Sequence, residues 1–165
     1  MSAPRRIFLF LGRDSRPVFL FQNETGGRCM QLTLIKNPDE SKSDVYKIAR
    51  VVYAETHATS LRAVESLTSM IANIARTSGR SYADIVSDTE LFPALNPASA
   101  SHHLLATDAN ERGLQMCVRA AMRMMRGALP DTCNGATCFH HSDVIPPWAT
   151  SRGYIADIDG LLFYL

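Results

Sequence analysis

Three segments of this chain carry apolar residues at helical spacing, and a helix with one apolar stripe is stable only when another element covers that stripe. The first runs from Val45 to Glu55, with Val45, Ile48, Ala49 and Val52 in line. The second is predicted from Ser60 to about Arg76, aligning Val64, Leu67, Ile71 and Ile74, and Gly79 stops it. The third is predicted from Ala109 to Arg126, with Asp108 and Glu111 as a capping pair. Its stripe is Leu114, Cys117, Val118, Ala121, Met124 and Met125, and Gly127 and Pro130 end it. Three stripes turned toward one another make a mainly helical domain. With 165 residues, 46% hydrophobic and 20% charged, the chain is long enough to close one core.

Small β elements flank the helices. Asp159-Gly160 between the apolar runs Tyr154–Ile158 and Leu161–Leu165 is a strong hairpin signal. At the other end, Arg6–Leu11 and Pro17–Gln22 around Gly12-Arg-Asp-Ser-Arg16 predict a second hairpin, followed by an edge strand at Met30–Ile35. Asn37–Ser43 is a polar linker. The predicted class is therefore α+β, mainly α. An N-terminal β-hairpin extension spans residues 1–40, and one domain with a C-terminal β-hairpin spans 41–165. A short helix at Tyr82–Val86 leads into the irregular stretch Asp88–Thr107, and a long loop of this kind inside a compact domain is often functional.

The N-terminal apolar run is too short for a signal peptide, no small-residue cleavage site follows it, and no run approaches a membrane span. A formal charge of +1 argues against a dedicated nucleic-acid binder. The row Arg112, Arg119, Arg123 and Arg126 on the third helix reads as a solvated face. Four cysteines form no Cys-x-x-Cys. Cys117 reads as a buried thiol, whereas Cys133 and Cys138 are close enough in sequence to bridge a short loop in an oxidising compartment.

Glu55 is the residue that carries chemistry. It lies on or beside the first apolar stripe, three residues after Val52, and none of its helical neighbours Val51, Val52, Ala58 and Thr59 is basic. Partial burial and the negative end of the helix dipole both favour the neutral acid, which suits a group that must store a proton and donate it. The competing reading is a structural carboxylate paired with Arg62. A second informative block is Asn134–Ala149, which gathers Phe139, His140, His141 and the single tryptophan, Trp148, into a loop. Aromatic faces suit sugars, and imidazoles can bond hydroxyl or N-acetyl groups. Cys133, Cys138, His140 and His141 are also possible zinc ligands, although their spacing matches no common zinc pattern.

Taken together, Ala49-Arg50-Val-Val-Tyr53-Ala54-Glu55, Asn73, Phe92, Gly135–His140, Pro147–Ala149 and the ending Ile158–Tyr164 resemble the SleB-type cell wall hydrolase family. The likeness runs in order over about residues 45 to 165. It implies a lysozyme-like helical catalytic domain that cuts peptidoglycan glycan strands between N-acetylmuramic acid and N-acetylglucosamine. It further implies Glu55 as the catalytic acid/base and a substrate surface of Tyr53, Asn73, Phe92, Thr137, Phe139, His140 and Trp148. No metal or cofactor is implied. The implied partner is the glycan strand rather than a nucleic acid or a membrane. Action at the cell wall would require release by a holin-like pore, a phage particle or a dedicated export system. Lytic transglycosylases of this kind need one glutamate only; a hydrolytic route would need a second carboxylate, for which Asp88 and Glu90 are the candidates.

Departures from the family pattern accompany the likeness. Leu91-Phe92-Pro93 stands where Gln-Phe-Ser is usual, Cys138 where histidine is frequent, His141 where threonine is common, and Ile74 follows Asn73 in place of arginine. The altered Phe92 neighbourhood motivates one alternative, a glycan-binding or structural module without turnover; the cluster of His140, His141 and Cys138 offers another, a metal-dependent hydrolase.

Overall fold

The computed structural model describes residues 43–165; the hairpin and edge strand predicted for residues 1–40 lie outside them. Helix α1 (Asp44–Thr56) buries Tyr46, Ile48, Ala49, Val51, Val52 and Ala54. Its end is abrupt. His57 and Ala58 both take positive φ, 50° and 49°, a conformation that costs a residue with a Cβ. Thr56 holds the pair in place, since its Oγ1 donates to the Val52 carbonyl at 2.7 Å and accepts the Ala58 N–H at 3.1 Å. This termination leaves Glu55 in the last turn of the helix.

Helix α2 (Leu61–Ser78) starts on Ser60, whose hydroxyl accepts the Ala63 N–H, and stops at Gly79 with φ 71°. Beside its apolar stripe it buries Ser66, Ser69 and Asn73. These polar groups hold the segment ahead of the sheet: Ser66 meets Thr132, Ser69 donates to the Pro130 carbonyl, and Asn73 donates to the Cys133 thiol. A short helix α3 (Tyr82–Ile85) follows. The stretch 88–107 then contains two 3-10 turns, Pro93–Leu95 and His102–Ala106. Arg50 on α1 anchors its far end through the carbonyls of Leu105 and Thr107, at 2.6 and 2.9 Å.

Helix α4 (Arg112–Met125) begins three residues later than the sequence predicts. Asp108 closes its own turn, taking the Asn110 N–H on its carboxylate and the Glu111 N–H on its carbonyl. Glu111 therefore occupies the N-cap position, with no side-chain cap bond. The stripe also ends one residue early, because Met125 is 44% exposed. Arg123 pairs with Glu65, while Arg112, Arg119 and Arg126 lie in solvent.

Gly113 is the point where α4 meets the end of α1. A Cβ there would lie 2.7 Å from the Tyr53 ring and 3.0 Å from the Ala58 Cβ. Overpacking of this kind costs about 1–3 kcal/mol, against a helix-propensity gain of about 1 kcal/mol for alanine over glycine. Gly113→Ala is thus expected to lower stability by about 1 kcal/mol in a denaturant titration, even though alanine is the better helix former.

The chain closes with a three-stranded antiparallel sheet in the order β1-β3-β2, formed by β1 (Cys138–His141), β2 (Tyr154–Ile158) and β3 (Leu161–Tyr164). The predicted hairpin is β2–β3, turning at Asp159 and Gly160 with φ 53° and 82°. Strand β1 corrects the reading of residues 134–149 as loop. Cys-Phe-His-His shows no polar/apolar alternation, and its pairing partner, β3, lies far along the chain. The register sets Phe139 opposite Phe163 and His141 opposite Leu161. Phe139, Phe163 and Leu161 join the helical core together with Phe92.

Candidate active site

Glu55 is buried, its side chain 1% exposed, and both of its oxygens are engaged. Oε1 accepts the backbone N–H of Ala94 at 2.8 Å, and Oε2 meets His141 Nε2 at 2.7 Å. The helix supplies no partner, as its sequence implies, but the fold supplies two from distant segments. Arg62, the competing partner, is exposed and does not bond the carboxyl group. Ala94 reaches Glu55 because the buried Phe92 fixes the preceding residue pair and Pro93 opens a 3-10 turn. His141 reaches it from the last position of β1.

Strand pleating explains the choice between the two adjacent histidines. Successive side chains point to opposite faces of a sheet. Phe139 and His141 share the inner face, with ring centroids 5.7 Å apart, and Phe92 lies 6.0 Å from Phe139. His140 points to the other face of the sheet, where it is buried, bonds the Tyr164 hydroxyl at 3.0 Å and packs beside Trp148. Trp148, Tyr164 and Tyr154 continue this outer cluster, and Arg152 covers the Trp148 ring.

The residues singled out from sequence therefore fall into separate places. Phe92 and Phe139 pack together near His141, which bonds Glu55 and is the member not expected at the site from sequence. His140 and Trp148 sit on the opposite face of the sheet. Tyr53 is turned toward Gly113, half-buried, with its phenol pushed up by burial and then by Glu111 and Cys117. Thr137 precedes β1 and donates its N–H to the Tyr164 carbonyl. Asn73 is buried against Cys133 and accepts from Arg76, at the wall of a cavity of about 410 Å³. Neither Glu55 nor His141 lines that cavity. Asp88 is tied to Arg80 at 2.9 Å, and Glu90 is exposed.

The proposed zinc set is split in the same way. His140 and His141 diverge, Cys133 is buried against Asp131, and Cys138 accepts from Arg152. Among the described residues no three histidine, cysteine or acidic side chains gather in a metal-binding group. Cys117, Cys133 and Cys138 are free thiols rather than a bridged pair. Burial pushes Cys117 and Cys133 up to about 12, so neither is a nucleophile near neutral pH.

A search of the solved structures finds the catalytic domain of the germination-specific lytic transglycosylase SleB from Bacillus anthracis, with a TM-score of 0.60. The match covers 78% of this chain and 99% of that one, at 17% identity. The fold is SleB-like. No protein-family model and no curated protein matches the chain. Among the described residues, no helix is long and apolar enough to cross a membrane.

The electrostatics of the site rest on His141. Its imidazole is raised above the ordinary value of 6.5, chiefly by the hydrogen bond to Glu55, against an opposing effect of burial, with Glu55 and Asp143 adding charge attraction. A folded-state value above the unfolded one means that the pair stabilises the fold fully below pH 6.5. That contribution is lost as pH rises through the raised value. The melting temperature is therefore expected to fall across that window, and Glu55→Gln is expected to flatten the slope. Thermal melts in a pH series measure both.

Proposed function

We propose that this chain cleaves peptidoglycan glycan strands as a lytic transglycosylase or muramidase, with Glu55 at the centre of the acid/base chemistry. One observation carries the reading: in a SleB-like fold, a carboxyl group is buried at the end of a helix, engaged by one backbone N–H and one histidine. A structural carboxylate on a surface pairs with a flexible cation; this one is desolvated and faces a titratable ring. The proposed bond is the one between N-acetylmuramic acid and N-acetylglucosamine. Protonation of the leaving 4-oxygen breaks the C1–O bond. The muramoyl 6-hydroxyl then closes onto C1 and returns its proton, leaving a 1,6-anhydro end. The single-acid route needs only this one carboxyl group, whereas hydrolysis would need a second carboxylate standing about 5–9.5 Å from it.

Phe92 and Phe139 are core rings that support the segments carrying Ala94 and His141. Trp148, on the other face of the sheet, packs against the buried His140 and stands apart from the carboxyl group. A second reading, a glycan-binding module without turnover, draws support from the 1% exposure of the Glu55 side chain. Isolated sacculi incubated with the protein separate the readings. Mass analysis of the soluble products is expected to find 1,6-anhydro ends; new reducing ends would point to hydrolysis, and co-sedimentation without release would mark the binding module.

A further inference from the structure

Glu55 does not face the outside of the molecule directly. His141 stands over Oε2, and its side chain is 35% exposed where that of Glu55 is 1% exposed. The ring presents two different nitrogens. Nε2 is spent on Glu55 at 2.7 Å, whereas Nδ1 bonds no other group among the described residues. The remaining oxygen of Glu55 is held by the Ala94 N–H, which can only donate. Of the two side chains, the imidazole is the one with surface to offer an approaching glycan oxygen.

We propose that the acid/base of this site is the Glu55–His141 pair, with its exchangeable proton presented to the glycan on His141 Nδ1. This rests on the glycan-cleaving reading above and specifies which atom performs it. With the ring doubly protonated, Nδ1–H donates to the leaving 4-oxygen as the C1–O bond breaks. The ring becomes neutral, keeping its Nε2–H on Glu55. The muramoyl 6-hydroxyl attacks C1 and gives its proton back to Nδ1, so the protein ends as it began and no outside reactant is needed. Glu55 positions the ring and balances its charge, the part a buried aspartate plays behind a histidine in hydrolase triads.

The charged groups acting on the ring are Glu55, from α1, and Asp143, from the segment after β1. Both favour the doubly protonated form, and burial alone opposes it.

Two measurements test the proposal. His141→Gln keeps an N–H able to reach Glu55 but removes the titratable ring. On isolated sacculi it is expected to lower the release of anhydro-muropeptides by about 10²- to 10⁴-fold, with sacculus binding retained. A rate within a few-fold of wild type overturns the proposal while leaving Glu55-centred cleavage standing. No new glycan ends from wild type at any pH would instead defeat the glycan-cleaving reading. Ring-nitrogen NMR on the wild-type protein depends neither on turnover nor on the folding of His141→Gln. Among the five histidines, His141 is expected to keep both ring protons to higher pH than an ordinary imidazole and to lose that advantage in Glu55→Gln. A neutral His141 ring with bare Nδ1 at pH 6 overturns the proposal.

Discussion

Glu55→Gln is expected to reduce glycan cleavage by at least about 10²- to 10⁴-fold, the range over which a positioned acid/base contributes. The amide is nearly isosteric with the acid. Its oxygen can still accept the Ala94 N–H, and its NH₂ can donate to a neutral His141 Nε2, so both hydrogen bonds of the native site are retained in form. The negative charge that holds the ring doubly protonated is lost. The variant is therefore expected to stay folded and to bind sacculi while failing to release anhydro-muropeptides. Mass analysis of the products, with circular dichroism on the same preparation, reads both parts. Native turnover in Glu55→Gln would remove position 55 from the chemistry.

Phe92→Ala is expected to be the most damaging of the substitutions for the fold. The ring is 0% exposed, packed near Phe139 within the helical core. Truncating a buried phenylalanine costs about 3–5 kcal/mol. Single domains carry about 5–15 kcal/mol in total, so about a fifth or more of the stability is at stake. The damage should also reach the site, because Phe92 N-caps the 3-10 turn whose Ala94 N–H holds Glu55. Urea titration is expected to show a lower midpoint with an unchanged slope. Phe92→Leu, which keeps most of the apolar volume, should lose far less. A large effect of leucine would mean that ring shape, rather than burial, sets the position of the 3-10 turn.

The helical architecture was readable because each stripe is a local pattern. Val45 to Val52 and Val64 to Ile74 repeat at the helical period, Ser60 and Gly79 bound the second helix, and Asp159-Gly160 marks the hairpin turn. The boundary of α4 was not, since Asp108 serves equally well in a turn and in a cap, and the backbone geometry decides between them. Glu55 stood out for the same local reason, an ionisable group beside an apolar stripe. Its partners did not. An N–H donated by Ala94 leaves no trace in side-chain identity, and His141 becomes a partner only if residues 138–141 are read as a strand. Strand β1 is short, lacks alternation and pairs with residues some twenty positions away, so its pleat was invisible. With it went the one rule that separates His141 from His140. Carrying both histidines and Trp148 over as one surface joined residues that the sheet divides.

That division has a consequence for how the molecule tolerates change. Two neighbouring imidazoles on a border strand mean that a slip of one position would offer the carboxyl group the wrong ring while still offering it a ring. What opposes the slip is not the histidines but the phenylalanine beside them, which would be turned out of the interior. Insertions or deletions between α4 and β1 therefore put the chemistry at risk through Phe139: its seat opposite Phe163 keeps the count.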